Sequence, residues 1–301
     1  MKVAIIGAKS FIGRHLVVEL NSIEGLELHL FSTTIGKVIG IGVDSMESFY
    51  KNTAETFDNI DIVYYLASSS IPSSSWENPI VEVESNLIPF LQFLNECVNR
   101  NVKKIVFISS AGTVYGSSLL PLSEASQKKP FSPYGINKLT MEYYLNYYKL
   151  RYNINYDVFR VSNVYGEGQN TSKGLGVLNT LLENLAFNRV TSIYGDGENI
   201  RNYIYVKDVV KVLVKSTQKV NKSGVYNLSS ESNMSLKELI IAVEKVLKVK
   251  CKIEYRPNRG SDNPFIILDN KKLLKTFPDI RFTEVSEGIK STYGFILKNN
   301  D

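Results

Sequence analysis

Tyr134 and Lys138 stand four residues apart in the segment SPYGINK. On a helix that spacing puts both side chains on one face. An ammonium beside a phenol stabilises the phenolate and lowers the tyrosine pKa towards neutrality. Such a tyrosine can take or deliver a proton at a carbinol carbon. With 18 tyrosines in the chain, the pair alone is a common pattern. Two further segments add to it. GAKSFIG places Gly7 and Gly13 around a turn, and ISSAGTVYG places several hydroxyls about two dozen residues before Tyr134. Gly7 allows a tight turn, Gly13 allows close helix–strand packing, and the helix start offers N–H groups to a pyrophosphate.

The elements that must hold these residues are legible. KVAII (2–6), LELHLFS (26–32), DIVYYLA (61–67), KKIVFISS (103–110) and INYDVFRVSN (154–163) read as buried strands. Helical spacing runs from Leu16 to Leu20, over 80–100 with Leu87, Leu91, Leu94 and Val98 on one face, and over 134–152. Strands alternating with helices predict a parallel sheet covered on both faces. Ligands then lie beyond the carboxyl ends of the strands, where Gly7 to Gly13, Ala67 to Ser70, Ser109 to Tyr115 and Asn163 to Gly166 fall.

Beyond Gly166 the pattern changes to a loop, a helix over 175–187, a turn at Gly195–Gly197, a helix from about Lys207 and a strand over 224–230. Ser235 and Glu238 form a capping box for a helix over 236–248. The fold class is α/β: a doubly wound parallel sheet with a smaller C-terminal α/β substrate lobe. The division predicted is 1–165 and 166–301, with segments near 203–230 returning to the first domain.

Composition narrows the function. The 301 residues carry 44% apolar and 22% charged residues, an ordinary globular balance. The net charge of +5 is scattered and points to solvated surface rather than to nucleic acid. Two cysteines, Cys97 and Cys251, are far apart, which suits a reducing, cytoplasmic setting without structural disulfides. Two histidines, His15 and His29, make neither a triad nor a histidine-rich metal site. No metal is expected. No 18-residue apolar stretch occurs, so no membrane span is expected.

In order, the segments GAKSFIG, DIVYYLAS, WENP followed by Asn86, SSAGTVYG, SPYGINK, FRVSNVYGEG, YGDGENIRNYIYVKDVV and Arg259-Gly-Ser-Asp262 resemble the extended short-chain dehydrogenase/reductase superfamily. The nearest pattern is its nucleotide-sugar 4-epimerases, within the NAD-dependent epimerase/dehydratase family. The resemblance implies a Rossmann-type fold and transient oxidation at C4 of a UDP-linked hexose by bound NAD. It makes Tyr134 the acid/base, and Lys138 the residue that holds the nicotinamide ribose. Gly7, Ser10, Phe11, Ile12 and Gly13 line the pyrophosphate. Ser32, Asp44, Ser45, Leu66, Ala67, Ser68, Asn86 and Ser109 fall on the cofactor side. Ser70, Asn163, Arg201, Arg259 and Asp262 fall on the substrate side, with the arginines gripping the diphosphate. It also implies a homodimer through the helices 86–100 and 134–152.

The chain departs from the family pattern in three places. Ala111 stands where a helper hydroxyl is usual, leaving Ser110 or Thr113 to serve. Phe31-Ser32 ends the second strand without the acid that binds the adenosine 2′-hydroxyl, which leaves NADP open; Ser32, Thr33 or Lys37 could receive a 2′-phosphate. Asn202 replaces an acid often found after Arg201. Gly112-Thr113 stands where the 4,6-dehydratases carry an Asp-Glu pair, so elimination of water would lack its usual acid and base and dehydration ranks low. The alternatives are an NADPH-dependent 4-keto-sugar reductase and a non-catalytic dinucleotide-binding protein.

Overall fold

The computed structural model describes residues 1–50, 59–72, 74–172, 176–258 and 265–299. The first half runs β1 (Lys2–Ile6), α1 (Phe11–Asn21), β2 (Glu27–Ser32), β3 (Gly36–Val38), β4 (Ile41–Ser45), α2 (Met46–Tyr50) and β5 (Ile62–Tyr65). A long helical stretch follows, made of α3 (Pro79–Glu82), a π-helical turn (Val83–Leu87) and α4 (Ile88–Asn99). Then come β6 (Lys104–Ser110), α5 (Ala111–Val114), β7 (Ser118–Leu122), α6 (Pro133–Tyr152) and β8 (Asn155–Val161). The rest comprises β9 (Asn163–Tyr165), α7 (Val177–Ala186), β10 (Thr191–Tyr194), β11 (Ile200–Tyr205), α8 (Val206–Lys215), β12 (Gly224–Leu228), β13 (Asn233–Ser235), α9 (Leu236–Leu247), β14 (Ile253–Arg256), β15 (Ile266–Leu268), α10 (Lys271–Thr276) and α11 (Val285–Lys298).

Eight strands make one sheet in the order β12-β8-β6-β5-β1-β2-β4-β3. β1 pairs in parallel with β2 and β5, β5 with β6, and β2 with β4. The strand order reverses direction at β1, between β2 and β5, the kind of switch point where such sheets bind ligands. The central strands are buried from end to end, which is why their sequences are near-continuous Val, Ile, Tyr and Phe. Phe31, Phe49, Tyr65, Phe90, Phe93 and Phe107 fill one side of that core. β3 pairs antiparallel with β4, a hairpin the sequence reading does not contain. Its turn is made by Ile39 and Gly40, both at positive φ.

The chain divides into two compact units, and the division differs from the one expected. The first unit holds 1–114, 128–160 and 210–226; the second holds 115–127, 161–209 and 227–301. Residues 115–127 leave the first unit because β7 pairs with β15. The segment that returns to the first unit is 210–226, narrower than expected, and Tyr64 of β5 anchors it by donating to the Leu213 carbonyl at 2.8 Å. In the second unit, β11 pairs with β9 and β13, and the Ser235–Glu238 capping box forms as expected.

Candidate active site

α6 begins with Ser132, whose hydroxyl accepts from the Gly135 N–H at 3.2 Å, followed by Pro133 at the first helical position. That start fixes the phase of the helix, so Tyr134, Lys138 and Glu142 follow at four-residue steps on one face. Gly135 is needed because a Cβ there would lie 2.4 Å from the Thr113 carbonyl oxygen. The close approach seats Tyr134 against α5, at the carboxyl end of β6. Lys138 is buried and donates to the Ile108 carbonyl at 3.0 Å. Its ammonium lies 4.8 Å from the Phe107 ring centroid and 5.5 Å from that of Tyr134.

Two buried carboxylates complete this cluster. Glu142 accepts from the Ser109 hydroxyl at 2.6 Å and from Arg160 Nη2 at 2.6 Å, with Arg160 Nε at 3.1 Å. Glu82, at the end of α3, accepts on Oε1 from Asn86 Nδ2 at 3.2 Å. The Glu82 carbonyl takes Asn137 Nδ2 at 2.9 Å. The π turn follows directly, and turns of this kind often mark functional segments.

The electrostatics differ from the expectation that Lys138 draws Tyr134 down. Burial holds the Tyr134 phenol above its ordinary value, and the Glu82 carboxylate pushes the same way. Burial pulls Lys138 down to about 8, against the opposing pull of Glu82 and Glu142. In both groups desolvation is the largest influence.

The glycine turn has the expected form. Gly7 lies at φ +90, and a Cβ there would meet Ala67 N and Leu66 C at 3.0 Å. Gly13 has no room for a side chain, since its Cβ would fall 2.2 Å from the Gly7 carbonyl. Ser10, in place of a glycine, caps α1 by accepting from Gly13 N–H at 3.1 Å. The turn lies beside Leu66 and Ala67, and Phe11 and Ile12 open the helix, so the residues fit a cradle for a pyrophosphate. Ser32 is buried at the end of β2, in register with Ser45, while Asp44 pairs with Phe31 and is exposed. Ser45 bonds the Ser48 hydroxyl at 3.0 Å. Asn86 ties this edge together: its Oδ1 accepts from Ser69 N–H at 2.9 Å and its Nδ2 donates to Ser70 Oγ at 3.2 Å. Ser68 donates to the Ser70 carbonyl.

Ser109, expected on the cofactor side, turns its hydroxyl inward to Glu142. Thr113 is buried, and its hydroxyl reaches back to the Ser110 carbonyl at 3.5 Å. The Ser110 hydroxyl is partly exposed and bonds no described protein group. In the second unit, Asn163 is exposed and donates to the Asn202 carbonyl at 3.1 Å. Arg201 donates to the Ile200 carbonyl. Asn202 is buried and exchanges both amide bonds with Ser230, so it ties β11 to the segment between β12 and β13. Arg259 and Asp262 lie outside the described residues.

Sequence reasoning passed over Glu82, Asn137, Glu142 and Arg160. Glu142 had a signal, since it continues the four-residue step from Tyr134 through Lys138. The others join from elements far away along the chain.

Similarity to known proteins agrees with this arrangement. The chain is 29% identical to a UDP-glucose 4-epimerase of Lactobacillus helveticus over 90% of its length and 89% of the relative. It is 32% identical to a dTDP-4-dehydro-6-deoxyglucose reductase of Escherichia coli over 72% of its length and 68% of the relative. A Thermus thermophilus UDP-glucose 4-epimerase, solved in complex with NAD, superposes with a TM-score of 0.88 at 26% identity, covering 98% of this chain and 99% of that one. Residues 3–229 match the sequence pattern of the NAD dependent epimerase/dehydratase family. A match over three quarters of the chain, on a fold that puts the tyrosine–lysine pair and the glycine turn at strand ends, means that this chain belongs to that family.

Proposed function

We propose that the chain is a nucleotide-sugar 4-epimerase acting on a UDP-linked hexose with a tightly held NAD. The observation that carries this reading is the Tyr134–Lys138 pair, set by the Ser132 cap and the Gly135 approach at the end of β6. Tyr134 takes the proton from the C4 hydroxyl and returns it after the keto sugar turns over. Lys138, already held by the Ile108 carbonyl, has two more N–H groups for the ribose. The Ser110 hydroxyl steadies the C4 oxygen. When bound, the dinucleotide would supply the hydride acceptor. The Gly7–Gly13 turn and the start of α1 hold its pyrophosphate. We assign Asn163, Arg201, Arg259 and Asp262 to the nucleotide diphosphate and Ser70 to the sugar.

The test is to incubate the purified protein with UDP-glucose, without added cofactor, and follow UDP-galactose by NMR. Mass spectrometry of the denatured protein identifies the dinucleotide. Interconversion with NAD released supports the reading; absence of both overturns it.

A 4-keto-sugar reductase is the second reading. Two observations favour it: the Escherichia coli relative is a reductase, and β2 ends in Phe31-Ser32 without an acid. Net consumption of added NADPH with a dTDP- or UDP-linked 4-keto sugar decides for reduction.

We further propose a cytoplasmic homodimer. Ile88 of α4, and Tyr143, Tyr147 and Leu150 of α6, are exposed apolar or aromatic groups on the two helices expected to pair. Among the described residues no helix is long and apolar enough to cross a membrane. Light scattering at micromolar concentration reads the dimer directly, and a monomer overturns it.

A further inference from the structure

Glu82 is a carboxylate the reaction does not consume, yet it is buried in α3, which packs on α6. It closes α3 just where the ladder widens into the π turn. Its Oε1 takes the Asn86 amide at 3.2 Å, and its carbonyl takes the Asn137 amide at 2.9 Å. Asn137 is the residue before Lys138 on α6, and Asn86 carries the bonds to Ser69 and Ser70. Glu82 therefore joins α6 to the loop after β5 through two buried amides.

We propose that Glu82 is a positioning residue for the Tyr134–Lys138 pair: it orients Asn86 and Asn137 and sets a buried carboxylate where α3 packs on α6. The inference rests on the reading of Tyr134 and Lys138 as the acid/base pair. The second buried carboxylate of the cluster, Glu142, is already shared between Arg160 and Ser109, whereas the bonds Glu82 makes among the described residues are to amides.

The charged and titratable groups facing this place are Tyr134, Lys138 and Glu142 from α6, Arg160 from β8 and Glu82 itself. Removing the Glu82 charge therefore acts on both members of the pair in the same sense. Less negative potential eases loss of the proton from Tyr134, and it also eases loss of the proton from Lys138. Both limbs of a bell-shaped pH–rate profile move to lower pH.

Glu82→Gln tests this, because an amide of the same shape still accepts from Asn86. The lysine side chains are labelled with 13C at Cε and titrated by NMR, with the Lys138 signal assigned by its loss in Lys138→Arg. The expected result is a Lys138 midpoint lower by roughly one pH unit, with both limbs of the kcat/KM profile shifted the same way. An unmoved midpoint overturns the proposal. So does a lower rate ceiling with both limbs in place, the mark of a purely structural role. If Glu82→Gln fails to fold, Glu82→Met, which fills similar space without the charge, is read instead. A midpoint lowered by roughly one pH unit supports the charge, and a midpoint held near the wild-type value overturns it. The titration needs no turnover. An inactive protein with a shifted midpoint thus counts against the epimerase reading alone.

Discussion

Arg160 grips Glu142 at 2.6 Å, and both side chains are almost wholly buried. The same carboxylate takes the Ser109 hydroxyl at the end of β6. One ion pair thus links β8, β6 and α6, the three elements that fix where Lys138 stands. A buried pair of this kind specifies geometry; breaking one side leaves an uncompensated charge.

Glu142→Leu is therefore expected to cost about 3–5 kcal/mol of stability. Urea unfolding followed by circular dichroism measures it. The double variant Glu142→Leu/Arg160→Met should recover most of the loss, since no lone charge remains buried.

Ser110 and Thr113 were open alternatives for the hydroxyl missing at Ala111. Thr113 turns its hydroxyl back to the Ser110 carbonyl, which favours Ser110. Ser110→Ala is expected to lower kcat about 100-fold, the usual cost of one donor at a reacting oxygen. Thr113→Val should change kcat by less than about 10-fold by the same standard. Steady-state rates of the two variants, compared at saturating substrate, give the answer.

Tyr134→Phe removes the proton carrier and leaves the ring. Turnover is expected to fall by about 100- to 10,000-fold, the range of a lost general acid/base. Bound dinucleotide should remain, because the glycine turn is untouched. Dinucleotide released on denaturation, measured beside activity, separates the two effects.

Lys138 also leaves a mark on stability. Its folded value is about 8 against an ordinary 10.5. Between those values the unfolded chain binds the extra proton, so stability rises with pH through that window. Below about pH 8 the cost of burying the charge is present in full. Lys138→Met lacks the term. Wild type should gain on this variant by a few kcal/mol between pH 8 and pH 10, as read from chemical unfolding at each pH.

What the sequence made legible was local. The strand–turn–helix at Gly7 to Gly13 and the Tyr134–Lys138 step lie within single elements, so spacing alone carries them. The capping box at Ser235 and Glu238 is of the same kind. Glu82 and Arg160 were invisible, because each meets α6 from an element distant in sequence. The β3–β4 hairpin was missed because GKVIGIGVDS lacks clean alternation and turns through Ile39 at positive φ. Residues 115–127 were placed in the wrong unit because the partner of β7, the strand Ile266–Leu268, lies far along the chain. The expected fall in the Tyr134 pKa considered one neighbour, whereas burial is the larger influence.

The π turn at Val83–Leu87 has a consequence for how this segment tolerates change in length. A regular helix advances about 100° per residue, and a π turn is one residue wound into that count. Deleting a single residue there would restore an ordinary ladder. Five residues wound through the π turn cover about the arc that four cover in a regular helix, so α3 and α4 would keep nearly the same phase. Loss of one residue within 83–87 is thus a local change of winding, whereas the same loss inside α4, where no residue is stored, would turn everything before it by about 100° against everything after it, Glu82 and Asn86 included.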